Sequence, residues 1–201
     1  MDAVELASPP ASAELRRRQL LETALGVFAR HGYRKTSMDD VAHAAGISRQ
    51  GLYLHFPNKE ELFRAAVLHA LRRSQSAVAV ALAASEATLE ERLLSAFDEW
   101  VGQFVEAVGS DVDDLVAVCR TLLGPAVDEE KRVFCERIAF ALYDGGLAHT
   151  YERAGLTADD LAATLCATAA GLKATHTTRA GFIAAMRLAI RALCLPTAAN
   201  A

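Results

Sequence analysis

A chain of 201 residues with 52% apolar and 23% charged residues holds one large domain or two small ones, and its composition excludes a disordered polymer. The net charge of −4 conceals a division: eleven Lys and Arg against six Asp and Glu between Glu14 and Gln75, then ten against seventeen from Ser76 onward. The first third suits a polyanion and the remainder does not. The N-terminus carries Asp2 and Glu5 without a signal pattern, and the longest uncharged run of the C-terminal half, Leu161 to Leu172, is too short for a bilayer. No membrane partner and a cytoplasmic location are expected. Cys119, Cys135, Cys166 and Cys194 form no C-x-x-C pair and have no histidine at ligand spacing. They are expected as reduced, buried small hydrophobes, with no metal and no cofactor.

Taken in chain order, the elements are helices. Residues 1–13, with Pro9-Pro10, read as a flexible tail. A first helix carries Leu20, Leu21, Ala24, Leu25 and Phe28 on one face and ends near Gly32. Thr36 or Ser37 caps a second, short helix with Met38, Val41, Ala42 and Ala45 at i, i+3, i+4 and i+7. Ser48 caps a third, presenting Leu52, Tyr53 and Phe56 and stopped by Pro57. Asn58 with Glu61 opens a fourth through Leu62, Phe63, Ala66 and Ala70. Thr88 and Glu91 form a capping box for a fifth, with Leu93, Phe97, Trp100, Val101 and Phe104. A sixth opens at Ser110 or Asp111 and is expected to close at Gly124-Pro125. A seventh runs from about Val127 towards Gly155, bent at Gly145-Gly146. Thr157 with Asp160 begins an eighth, and Thr177 or Thr178 a ninth that ends before Pro196.

The segment from Ser37 to Phe56 carries the chemistry. Two short helices meet at Ala45-Gly46-Ile47-Ser48, where Gly46 permits the sharp turn and Ile47 is expected to plug the space between the helices. The helix after the turn begins with Arg49 and Gln50, side chains that pair bidentately with guanine and adenine. Thr36, Tyr53, His55 and Lys59 flank it and are of the types that hold phosphates. The candidate DNA-binding set is therefore Thr36, Ser37, Ser48, Arg49, Gln50, Tyr53, His55 and Lys59.

The stretch from Arg17 to Ala70 resembles the DNA-binding domain of the TetR (tetracycline repressor-like) family of bacterial regulators. The resemblance lies in Phe28-Ala-Arg-His-Gly-Tyr33, Thr36-Ser-Met-Asp-Asp-Val-Ala42, Ala45-Gly-Ile-Ser48, Leu52-Tyr-Leu-His-Phe56 and Asn58-Lys-Glu-Glu-Leu-Phe63. It implies an all-α protein of about nine helices. Residues 14–60 would be the DNA-binding domain, a fourth helix to about residue 75 the connector, and 76–201 a ligand-binding and dimerisation domain. It implies Thr36, Tyr53 and Lys59 on phosphates, and Arg49 and Gln50 on bases. Gln50-Gly51 departs from the family's usual residues at the start of the recognition helix, and Gly51 costs about 1 kcal/mol of helix propensity.

The same resemblance implies a ligand-responsive repressor of double-stranded, palindromic operator DNA, working as a homodimer through its last two helices. The eighth helix, rich in Ala and Gly around Leu161, Leu165 and Leu172, and the ninth, with Phe182, Ile183, Met186, Ile190 and Leu193, offer the small and apolar faces expected to meet across the two-fold. For an unknown small-molecule effector, the expected lining is Phe97, Trp100, Phe104, Arg120, Phe140, Tyr143 and His149. No enzyme is expected: G-x-S-x-G, H-E-x-x-H, phosphate-loop and dinucleotide motifs are all missing from the sequence.

Overall fold

Helix caps written in the sequence set the element boundaries. The computed structural model describes residues 11–105 and 112–198, which are helical apart from turns and short connections. The helices are α1 (Ala11–His31), α2 (Met38–Ala44), α3 (Arg49–His55), α4 (Lys59–Leu82), α5 (Leu89–Trp100), α6 (Val112–Asp144), α7 (Leu147–Tyr151), α8 (Ala158–Thr175) and α9 (Arg179–Ala198). Ser37, Thr88 and Thr157 close full capping boxes with Asp40, Glu91 and Asp160. Ser48 and Asn58 accept from Gly51 and Glu61 N–H groups. Each such cap contributes about 1 kcal/mol. Residues 1–10 of the expected tail, and the expected cap at Ser110 or Asp111, lie outside the described residues, while residues 11–13 are already helical.

Two apolar cores form, and α4 and α6 belong to both. In the first, Leu20, Leu21, Ala24 and Phe28 of α1 meet Met38, Val41, Leu52 and Phe56, with Leu62, Phe63 and Ala66 of α4 beneath them. Phe28 and Phe63 pack edge to face at 5.1 Å, and Leu115 and Leu123 of α6 close the side. In the second, Val78 and Leu82 of α4 join Leu93 and Phe97 of α5, Phe134, Ile138 and Leu142 of α6, and the inner faces of α8 and α9. Polar ties lock α4 to its neighbours: the buried Gln75 donates to Glu130 O (2.8 Å), and Arg137 donates to Gln75 O (3.2 Å). Ser74, also buried, accepts from Gln103 at 2.8 Å.

Tertiary packing overrides local signals at four places. Gly124-Pro125 does not end a helix, because α6 continues through Pro125. Proline in a helix interior costs about 3 kcal/mol, but α6 buries Leu115 and Leu123 before it and Phe134, Ile138 and Leu142 after it, which holds both halves helical. The break comes instead at Gly145-Gly146, where Gly146 has φ +76°. The ninth helix likewise continues past Pro196. The apolar stripe nominated for dimerisation is intramolecular: Leu161, Leu165, Phe182, Met186 and Ile190 are buried in the second core, with Leu172, Ile183 and Leu193 partly buried against it. Cys135 of α6 and Cys166 of α8 form a disulfide with Cα atoms 6.5 Å apart, so two of the four cysteines are paired rather than free. Cys119 and Cys194 lie outside that disulfide and are half-buried, and burial pushes the Cys119 thiol up to about 11.

Candidate DNA-binding surface

The helix after the turn, α3, is set in place by the capping box of α2, the turn at Gly46 and its own cap. The capping box at Ser37 starts α2: Ser37 donates its hydroxyl and its N–H to Asp40 Oδ2 (2.7 and 2.8 Å), and accepts from Asp40 N–H at 3.2 Å. These bonds hold the Asp40 carboxyl below the usual aspartate range. At the turn, Gly46 adopts φ +65°, a region that costs an L side chain about 1–2 kcal/mol. Ile47 does not plug the helices apart: it is 37% exposed, and the space is filled by Met38, Val41, Ala42 and Leu52 instead. Ser48 Oγ then accepts from Gly51 N–H at 3.0 Å to cap α3. A Cβ on Gly51 would sit 3.1 Å from that Oγ, which supplies a packing reason for glycine at this position.

Leu52 and Phe56 turn α3 inward, and the opposite side of the helix is exposed. It presents Arg49, Gln50, Tyr53, Leu54 and His55. Arg49 donates to Asp39 of α2 (2.7 Å) and lies over the Tyr53 ring at 5.6 Å. Both partners of the Arg49–Asp39 pair are more than half exposed, so the contact orients the guanidinium and adds little stability. Leu54, at 82% exposure, is the feature that sequence reasoning missed. Its signal was its position four residues after Gln50 and off the stripe of Leu52 and Phe56.

The flanking residues divide differently. Thr36 is 2% exposed and donates its hydroxyl to Gly32 O at 2.8 Å, so its side chain organises the turn from inside. Ser37 and Ser48 are engaged as caps. Lys59 Nζ lies 3.0 Å from Tyr33 O, 2.9 Å from Thr36 O and 3.5 Å from Arg34 O, above the Tyr33 ring at 4.5 Å. Arg17 of α1 stacks over Phe56 at 5.1 Å and stands exposed beside this surface.

The seven residues expected around an effector do not converge. Phe97 is core, edge to face with Phe134 at 5.1 Å, and Trp100 stacks on the same ring at 5.0 Å. Phe104 is half-buried under Lys173, at 5.9 Å. Arg120, Phe140 and Tyr143 of α6 are exposed, and so is His149 of α7, whose ring lies 5.3 Å from that of Tyr143. Phe140 lines an open groove of about 660 Å³ between α4 and α6, with Leu82, Val133 and Arg137. Among the described residues no cluster of His, Cys, Asp and Glu suits a metal ion, and no helix is long and apolar enough to cross a membrane.

Comparison with known proteins agrees with this geometry. Residues 20–66 match the family described as "Bacterial regulatory proteins, tetR family". The HTH-type transcriptional repressor KstR2 of Mycobacterium tuberculosis is 49% identical over 47 residues, 23% of this chain and 24% of that protein. The chain spans about a quarter of the length of the relatives it matches. The TetR-family transcriptional regulator of Cytophaga hutchinsonii superposes with a TM-score of 0.67 at 17% identity, over 94% of this chain and 97% of that one. A regulator from Saccharomonospora viridis, solved in complex with choline, gives 0.66 at 21% identity over 91% and 96%. Residues 20–66 are thus a DNA-binding domain of the tetR family of bacterial regulatory proteins, and the chain as a whole has the fold that structures of that family share.

Proposed function

We propose that this chain is a transcriptional repressor that grips a palindromic operator as a homodimer and lets go when a small molecule binds its C-terminal half. The observation that carries the reading is the outer face of α3. It is a capped helix braced by α2, with Arg49, Gln50, Tyr53 and Leu54 exposed side by side and, among the described residues, no partner element covering them. Arg49 and Gln50 read base edges in the major groove, Leu54 meets thymine methyls, and Tyr53 and His55 with Arg17 fix the register on phosphates.

Dimerisation falls to the faces of α8 and α9 that the second core leaves outside. On α8 these are Ala163, Ala167, Ala170, Gly171 and Ala174, and on α9 they are Ala184, Leu188, Ala192 and Leu195. A smooth face on one helix and protruding leucines on the other are complementary across a two-fold axis. Release works through α4, which is shared by both cores. A ligand that favours another placement of α4 against α5 and α6 alters the separation of two recognition helices that must sit about 34–36 Å apart.

The test is fluorescence anisotropy on DNA from upstream of the gene, in a salt series with competitor. Wild type binds one fragment specifically, and Arg49→Ala loses about 1–3 kcal/mol of discrimination at one base pair per half-site. Binding that is weak and indifferent to sequence across a genome-wide fragment selection refutes the proposal.

A further inference from the structure

We infer that the open groove between α4 and α6 seats the effector, and that it takes an amphipathic monoanion, an apolar body carrying a carboxylate or similar head. The inference rests on the reading of the chain as a ligand-responsive regulator, and it adds a site and a ligand class to that reading. Val133, Arg137, Phe140 and Asp144 recur at i, i+4, i+7 and i+11, so they form one stripe of α6 along the groove. Ala79, Leu82 and Ala83 of α4 line it from the other side, and Arg92 of α5 completes the lining. The volume of about 660 Å³ suits a small molecule. Phe140 stands in this groove 69% exposed, an aromatic ring that no core of the chain receives.

Charge selects the occupant. Arg92 and Arg137 are both half-buried, and a guanidinium has five N–H donors and no acceptor. Arg92 Nε donates to Leu82 O at 2.6 Å and Arg137 Nη1 donates to Gln75 O at 3.2 Å, and neither arginine makes an ion pair among the described residues. Of the two carboxylates on the groove, Glu136 is held by Arg132, and Asp144 is exposed at the end of α6. Two guanidiniums with N–H groups to spare recruit an anionic head, while Leu82, Val133 and Phe140 receive an apolar body. Both arginines also hold α4. Leu82 ends that helix, so its carbonyl lacks a helical donor until Arg92 of α5 supplies one, and Arg137 of α6 grips Gln75 O two turns earlier. A bound anion competes for these N–H groups, so filling the groove loosens the bonds by which α5 and α6 seat α4.

The probe is 8-anilinonaphthalene-1-sulfonate, an aromatic body with one anionic head whose fluorescence rises on leaving water. It is titrated into the full-length protein and competed with octanoate, octanamide and octylammonium. Wild type should bind the probe, and octanoate should displace it about tenfold better than octanamide, with octylammonium the weakest competitor. Phe140→Glu, which alters an exposed side chain, and Arg137→Gln should each weaken probe binding about tenfold or more. In a mobility-shift assay the probe should lower operator affinity about threefold or more in wild type and leave Phe140→Glu unaffected. The inference is overturned if wild type binds no probe, if Phe140→Glu binds it as wild type does, or if octylammonium competes as well as octanoate. It is overturned too if the operator complex is indifferent to bound probe, or if Phe140→Glu separates a dimer, which assigns the face to a second copy. Should Arg137→Gln not fold, Phe140→Glu decides alone. If wild type binds the probe as expected but no operator, the regulator reading fails, and the groove stands as an anion site.

Discussion

Replacing Leu188 with glutamate tests the proposed dimer and the side of α9 assigned to it. In the single chain Leu188 is 70% exposed, while Met186, two residues before it, is fully buried in the second core. Burying the exposed seven-tenths of a leucine contributes about 1–2 kcal/mol. A two-fold axis does so twice, for about 2–4 kcal/mol, before the cost of setting two carboxylates against an apolar face is added. Leu188→Glu should therefore weaken the dimer by roughly thirtyfold to a thousandfold at least. Sedimentation equilibrium measures this directly, and half-site spacing makes specific DNA binding fall with it. The isolated subunit keeps its helical content, because no core contact is lost. Met186→Glu places the same charge in the core and should unfold the chain. Two glutamates two residues apart thus give opposite phenotypes. A Leu188→Glu protein that stays dimeric with wild-type DNA affinity refutes the assignment of this face.

Three further outcomes follow from the structure. Leu54→Ala should lower operator affinity about fivefold, roughly one methyl contact, and the loss should vanish on DNA whose contacted thymine is replaced by deoxyuridine; an equal loss on both DNAs rules out methyl readout. The disulfide between Cys135 and Cys166 closes a separation of 31 residues, so reduction should remove about 3–4 kcal/mol of stability in urea titrations; four thiols reacting in unreduced, denatured protein exclude the bond. The carboxyls of Asp40, Glu91 and Asp160 are held below their ordinary values by hydrogen bonds from Ser37, Thr88 and Thr157. A depressed folded value means their contribution is complete above the unfolded values, about 3.9 for Asp and 4.3 for Glu, and is lost as pH falls through the folded ones. Acid unfolding should thus steepen below about pH 4, and less so in Asp160→Asn, with circular dichroism as the readout.

What could be read from the sequence is what depends on near neighbours in the chain. Ser48, Asn58, Thr88 and Thr157 cap the helices expected of them, and of Thr36 and Ser37 it is Ser37 that caps α2, because the bond joins residues three apart and needs no tertiary partner. The exposed placement of Arg49, Gln50 and Tyr53 follows from the same locality: once Leu52 and Phe56 are inward, their neighbours must face out. Periodicity failed where it was asked whose surface an apolar stripe meets. Phe182, Met186 and Ile190 repeat as a helix face should, but the pattern is identical for a core in the same subunit and an interface with another. Pro125 misled for a related reason, since its local penalty is outweighed by side chains buried up to seventeen residues away along the same helix. Cys135 with Cys166, and Lys59 with the carbonyls of residues 33–36, are contacts across 31 and 23–26 residues, with no spacing rule to announce them.

The part that local reasoning could not reach is also the part that joins the two halves. Leu62, Phe63 and Ala66 of α4 lie in one core, and Val78 and Leu82 in the other, with Ser74 and Gln75 hydrogen-bonded between them. A helix of 24 residues is about 36 Å long, so a tilt of 5° about its C-terminal anchor moves Lys59 by about 3 Å. That displacement equals a full hydrogen-bond length, enough to break the contacts between Lys59 and the turn that starts α2. A packed core resists such a tilt, and on the proposed reading a ligand that offers a second arrangement makes it yield as a unit rather than by degrees. On the proposed reading, the residues of α3 that read bases are few and exposed, and the seat of α4 decides whether two copies of them reach DNA together.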